Sequence, residues 1–233
     1  MPGPLLLVVV NDPDSGPGRL LPWLEDLGVA ADVAEGHDVP STPDRHDGVV
    51  LLGGGLMPDD DAAHPWLPRE RDLARRCVGT GTPLLGVCLG GQLLSLAHGG
   101  TVVADSGRPE RGLVTVTRTA DGAHDPVLGR LPEQFPAMQN HRDEMTDLPP
   151  GAVHLATSTT CPVQAFRLGT AAWGLQFHPE AGAERMARWD THRVAADGFD
   201  LAALRRAGET REPASRAAAR SLVEAFVDVV RAA

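Results

Sequence analysis

Cys88 lies in Gly86-Val87-Cys88-Leu89-Gly90-Gly91-Gln92, directly after the apolar run Pro83-Leu84-Leu85. An apolar strand entering a helix through G-x-C-x-G is a nucleophile elbow, with cysteine in the exposed position. Glycines two residues to either side permit a turn tight enough to lift the thiol above the carboxyl edge of a sheet. At a helix start, unpaired N–H groups and the helix dipole suit an anionic sulfur, and the Leu89 N–H can point at an oxyanion. Such a residue attacks a carbonyl carbon and forms a covalent acyl intermediate. The plainer alternative is a small buried cysteine beside flexible glycines.

Thiol acyl transfer also needs a base, and Trp173-Gly174-Leu175-Gln176-Phe177-His178-Pro179-Glu180 offers one. Proline fixes its own φ and holds the preceding residue extended, so His178 and Glu180 stay out of a helix. Residues two apart in extended chain share a side. Glu180 can therefore accept a hydrogen bond from one imidazole nitrogen and leave the other to take the Cys88 proton. Cys77 and Cys161 have neither an elbow nor a nearby partner and read as core or surface thiols.

Positioning these groups calls for a sheet whose strands end near one another. Short apolar runs alternate with amphipathic stretches, the order of a largely parallel sheet with helices on both faces. Strands are expected at Leu5 to Val10, Val29 to Val33, Gly48 to Leu52 and Pro83 to Val87, with helices at Arg19 to Leu27, Trp66 to Val78 and Gly90 to His98. After Thr101 the alternation in Leu113 to Thr117 and Val163 to Arg167 predicts half-exposed antiparallel strands, so the sheet is mixed. From about Ala181 to Ala233 the chain is helical, closing on a helix near Ala214 to Val230, with Gly208 to Pro213 as a connector. No repeat or low-complexity linker marks a boundary, and one domain over residues 1–233 is expected.

The elbow and Gln176-Phe177-His178-Pro179-Glu180 together resemble the class I (triad) glutamine amidotransferases. Leu52-Gly53-Gly54-Gly55, Pro65-Trp66-Leu67, Glu110-Arg111-Gly112 and Cys161-Pro162-Val163-Gln164-Ala165-Phe166 add to the likeness, which points to the stand-alone branch related to the glutaminase domain of GMP synthase. The resemblance implies a flavodoxin-like open sheet and a Cys88-His178-Glu180 triad that hydrolyses the side-chain amide of glutamine. It implies an oxyanion hole from the backbone of Gly54 or Gly55 and of Leu89, and substrate contacts from Gln92 and from Asn140 or His141. Where many relatives have Gly-Gly-Pro, this chain has Gly53-Gly54-Gly55-Leu56, which leaves the register of that turn open. A γ-glutamyl amide or peptide hydrolase with the same triad, and a non-catalytic scaffold protein, are the rival readings.

Bulk properties narrow the partners. A net charge of -10 repels nucleic-acid phosphates and anionic lipid alike. Three cysteines do not make a disulfide framework, which suits a reducing cytoplasm. The six apolar residues of Leu5 to Val10 are too few to span a bilayer. Asp59-Asp60-Asp61 reads as a solvated face, and the histidines lack zinc-ligand spacing, so neither metal nor cofactor is expected. Released ammonia needs an activated acceptor, yet the chain has no G-x-x-x-x-G-K-[ST] and no G-x-G-x-x-G. The acceptor chemistry is thus expected on a separate synthase polypeptide. The segment after Ala181 either docks that partner or a second copy, or caps the sheet's own face.

Overall fold

A computed structural model describes residues 3–12 and 15–233. The apolar run Leu5–Val10 forms β1, between and parallel to β2 (Ala30–Glu35) and β3 (Gly48–Leu51). β3 pairs with β4 (Leu84–Val87), and β4 with β11 (Ala172–Leu175), again in parallel. The sheet then continues antiparallel through β10 (Ala165–Leu168), β9 (Val153–Thr157), β6 (Glu110–Arg118) and β7 (Gln134–His141). β5 (Thr101–Val103) and β8 (Glu144–Asp147) form a separate two-stranded ribbon. The sheet is mixed with helices on both faces, as the sequence implies.

The period-two alternation of the strands divides the core. Leu6, Val8, Val10, Val50, Leu85 and Val87 point toward α1 (Leu20–Asp26) and α6 (Leu201–Ala232), packing with Trp23, Leu222 and Phe226. Leu7, Val9, Val49, Leu51 and Leu84 point to the other side, against Leu73 and Cys77 of α2 (Leu67–Thr80). Both faces of the central strands are covered, which is why those strands read as unbroken apolar runs. α3 (Leu89–Ala97) follows β4 directly, while α4 (Ala120–His124) and α5 (Thr191–Ala196) are short connectors.

The C-terminal helix corrects the sequence reading. α6 begins at Leu201 and runs unbroken through the Gly208 to Pro213 stretch expected to be a connector. An interior proline costs about 3 kcal/mol, and tertiary contacts outweigh it here. Gly208 leaves room for the Met186 and Ala183 side chains that pack against it. Arg211 donates to the Leu113 carbonyl and to Thr115 Oγ1, both at 2.6 Å. Glu212 binds Arg19 Nη1 at 2.7 Å and the Ala183 N–H at 2.8 Å. Farther along, Ala218, Leu222, Val223, Phe226, Val227 and Val230 enter the same core as the strands. That part of the helix caps the sheet's own face.

Candidate active site

Cys88 joins β4 to α3 with φ 50° and ψ −108°, a conformation costly for a residue with a Cβ and held only by its surroundings. Its N–H donates to the Leu175 carbonyl at 2.8 Å, and its carbonyl accepts from the Gln92 N–H at 2.9 Å. The flanking glycines serve close approach rather than positive φ. A Cβ on Gly86 would lie 2.5 Å from the Gly90 carbonyl carbon, and one on Gly91 2.6 Å from the Leu175 oxygen. The strain of the elbow thus sits on the cysteine, while the glycines let α3 pack onto the strand ends. Leu89, at the first position of α3, has an N–H with no acceptor in its own helix.

Past β11 the chain does not stay extended as the sequence reading expects: it bends at Gln176 and Phe177 and turns at Pro179 and Glu180, the Ala181 N–H reaching the His178 carbonyl at 3.3 Å, so a turn brings His178 and Glu180 together. The segment is pinned twice: the Gln176 N–H donates to the Gln164 carbonyl and the His178 N–H to that of Met138, both at 2.9 Å. Met138 lies on β7, at the far edge of the sheet, so the antiparallel half curls round until β7 reaches the extension of β11. His178 Nδ1 and Glu180 Oε1 are 2.8 Å apart, and both side chains are buried. Burial would lower the His178 imidazole, but Glu180 and then Cys88 outweigh it and raise it well above its ordinary value. Burial would likewise raise Glu180, yet His178, with help from Arg185, holds it below the usual carboxylate range. The favoured pair is imidazolium and carboxylate. Gln176 Nε2 lies 3.7 Å from Cys88 Sγ and can donate to it.

The glycine turn closes the site from the β3 side. A Cβ on Gly53 would lie 2.9 Å from His178 Cε1 and 3.4 Å from Cys88 Cβ. One on Gly54 would meet Leu89 Cδ2 at 3.3 Å, which places Gly54 beside the residue paired with it in the sequence reading. Around Gly55 nothing comes within 4 Å of that position.

Of the expected substrate residues, Gln92 is buried near Cys88, with Nε2 3.4 Å from both Gln176 Oε1 and the Asp143 carbonyl. His141 is buried with Nε2 3.2 Å from Glu110 Oε2 and Nδ1 3.1 Å from the Asp143 carbonyl oxygen. Asn140 points to the exposed side of β7, where Arg111 binds it.

These contacts belong to a buried network that the sequence did not disclose. Glu110 accepts from Ser158 Oγ and from Gln164 Nε2, each at 2.6 Å, and Gln139 Nε2 donates to Gln164 Oε1 at 2.7 Å. Ligand atoms of Glu110, His141 and Cys161 lie within 4.8 Å of one another, a closeness that spacing along the chain could not reveal. The set is already engaged in hydrogen bonds: Glu110 accepts from Ser158 and Gln164 and lies 3.2 Å from His141 Nε2, and the Cys161 thiol donates to the Val163 carbonyl at 3.4 Å. Burial, aided by Glu110 and Glu144, pushes that thiol up to about 12, and burial does the same to Cys77.

Residues 22–189 match the family described as glutamine amidotransferase class-I. The chain belongs to that family. Hydrolysis of the glutamine side-chain amide is the activity of this class of enzyme. The chain is 36% identical over 159 residues to the glutamine-hydrolysing GMP synthase subunit of Natronomonas pharaonis, an alignment covering 67% of this amidotransferase and 78% of the relative. The corresponding subunit from Methanocaldococcus jannaschii is 32% identical over 134 residues, covering 57% and 64%. Among solved structures, a Thermotoga maritima glutamine amidotransferase superposes with a TM-score of 0.84 at 26% identity, covering 96% of this chain and 98% of the other. No helix among the described residues is long and apolar enough to cross a membrane.

Proposed function

We propose that this amidotransferase releases ammonia from glutamine through a Cys88-His178-Glu180 triad and supplies it to a separate synthase subunit. The observation that carries the reading is the strained Cys88 at the start of α3, facing an imidazole whose other nitrogen is engaged 2.8 Å from a buried carboxylate. Cys88, its proton passed to His178, attacks the amide carbon of glutamine. The carbonyl oxygen takes up the electron pair and rests on the N–H of Leu89 and one from the Gly54-Gly55 turn. As the tetrahedral adduct collapses, the C–N bond breaks and His178 gives its proton to the departing nitrogen, leaving ammonia and a γ-glutamyl thioester. Water, deprotonated by His178, attacks the thioester; the C–S bond breaks, glutamate leaves and the thiol is restored.

Gln92 is the side chain proposed to bind the substrate, with Asn140 at the exposed rim. Engaged on both nitrogens, His141 serves by holding the turn between β7 and β8. For the partner, the support is that the relatives are named as one subunit of GMP synthase and that the alignment spans most of their length. A homodimer is the other assembly to test, by gel filtration at several concentrations with and without a candidate synthase polypeptide.

The test of the chemistry is glutamate release by the purified chain from glutamine, beside Cys88→Ala and beside a γ-glutamyl anilide. Release that needs Cys88 and prefers glutamine supports the proposal. Turnover of the anilide but not glutamine would move the chain to γ-glutamyl hydrolysis, and silence on both, with and without the synthase polypeptide, would sink the proposal.

A further inference from the structure

The Gly53-Gly54-Gly55 turn is braced from behind by side chains that the mechanism above leaves unused. Asn11 follows β1 and is buried. Its Nδ2 lies 3.3 Å from the Leu52 carbonyl oxygen and 3.0 Å from Glu70 Oε2, and its Oδ1 accepts from Trp66 Nε1 at 3.1 Å. Gly36 lets the indole and the amide meet: a Cβ there would fall 2.7 Å from both Asn11 Oδ1 and Trp66 Cδ1. Glu70, on α2, is fully buried. A carboxyl group without solvent is costly, and the bond that Glu70 accepts from Asn11 is one return on that cost.

The Leu52 carbonyl belongs to the peptide plane that opens the glycine turn. Because a trans peptide is rigid, holding that oxygen also fixes the direction of the Gly53 N–H on the opposite edge of the plane. The next residue, Gly54, has its Cβ position 3.2 Å from Asn11 Cβ and 3.3 Å from Leu89 Cδ2, so Asn11 touches the turn a second time where it meets the elbow.

Resting on the reading of Leu89 and the glycine turn as oxyanion donors, we propose that Asn11 and Glu70 are positioning residues for that hole. Glu70 orients the Asn11 amide, and Asn11 clamps the Leu52-Gly53 peptide, so the turn presents its N–H groups in one direction before substrate arrives. Neither side chain touches the reacting atoms. Their contribution is expressed as the tetrahedral oxyanion forms, because donors a few tenths of an ångström out of place lose their value there.

The probe is a chloromethyl ketone analogue of glutamine, used on the intact chain. The Cys88 sulfur adds to its ketone carbon, giving a tetrahedral oxyanion; the sulfur then displaces chloride from the methylene, and its bond to the ketone carbon breaks as the oxyanion re-forms the carbonyl. Saturation kinetics separate the binding constant from the maximal inactivation rate, and iodoacetamide alkylation of Cys88 reports the thiol without any oxyanion. Asn11→Leu and Glu70→Ala are expected to slow maximal inactivation about ten-fold or more, less than the loss of a whole donor, with binding and iodoacetamide rates nearly unchanged. Glu70→Gln keeps an oxygen for Asn11 and is expected to restore most of the rate. Should Glu70→Ala not fold, Asn11→Leu and Glu70→Gln carry the comparison. Unchanged maximal inactivation in Asn11→Leu, a loss confined to binding, or a Glu70→Gln variant as slow as Asn11→Leu would overturn the inference. If Cys88→Ala is modified as fast as the wild type, the reading of the site itself fails, an outcome distinct from those three.

Discussion

Gly53→Ala should cripple turnover without unfolding the protein. The added methyl would begin 2.9 Å from His178 Cε1 and 3.4 Å from Cys88 Cβ. Carbon atoms in contact settle at roughly 3.5–4.0 Å, so the imidazole or the turn must yield by about 0.6–1 Å. The imidazole has little room to retreat: Nδ1 is held 2.8 Å from Glu180 Oε1, and the backbone N–H is fixed 2.9 Å from the Met138 carbonyl. A displacement of about 1 Å at the reacting groups costs on the order of a hundred-fold in rate, or roughly 2.7 kcal/mol in the barrier. The loss should fall on kcat in a glutamate-release assay, because the methyl meets the proposed base and nucleophile while Gln92 lies elsewhere. Gly55→Ala is the matched control, since nothing lies within 4 Å of its Cβ position. Thermal unfolding of both variants should stay near that of the wild type. A Gly53→Ala enzyme with full kcat, or a Gly55→Ala enzyme equally slow, would refute the reasoning.

Three further outcomes follow from the geometry. Burial raises the Glu70 carboxyl to about 7 despite the opposing bond from Asn11, so the folded chain holds a proton there that the unfolded chain has lost. Stability must then fall as pH rises from the unfolded to the folded value; between pH 5 and pH 8 the wild type should lose about 2–3 kcal/mol relative to Glu70→Gln in urea titrations, and a pH-independent difference would remove the basis for this. Brief iodoacetamide treatment followed by peptide mass spectrometry should label Cys88 before Cys77 and Cys161, whose thiols burial pushes up to about 12; equal labelling of all three would contradict the assignment. Gly208→Leu should cost about 1–3 kcal/mol by driving Met186 and Ala183 off α6, and a melting temperature unchanged by the substitution would mean that the glycine does not matter to the packing.

What could be read from the sequence was what adjacent residues carry among themselves. The elbow at Cys88 and the nearness of His178 and Glu180 across Pro179 are local, because proline and the order of apolar residues act over a few positions, although the segment is a turn and not the extended chain expected. The apolar runs likewise located β1, β3 and β4, since a strand covered on both faces has no polar alternation to blur it. The network around Glu110 was not legible, because it depends on which strands meet: Glu110 comes from β6, His141 from β7, and Ser158 and Gln164 from the segment between β9 and β10. Asn11 and Glu70 are 59 residues apart and carry no motif of their own. Gly208 and Pro213 gave the wrong signal for a related reason. Local propensity argues for a break there, while the bonds that keep the helix intact reach from Arg211 to Leu113 and from Glu212 to Arg19, across 98 and 193 positions.

The bond between His178 and the Met138 carbonyl also bears on how the chain matures. The cysteine belongs to the parallel half of the sheet, but its proposed base is anchored by the strand at the opposite edge, and the Pro179 carbonyl is held by Arg19, which in turn grips Glu212 on the last helix. A folding chain can therefore display the thiol early and place the proposed base His178 only when its two ends and its outermost strand have come together. Such long-range closures are slow steps. Activity then serves as a mark of the finished molecule.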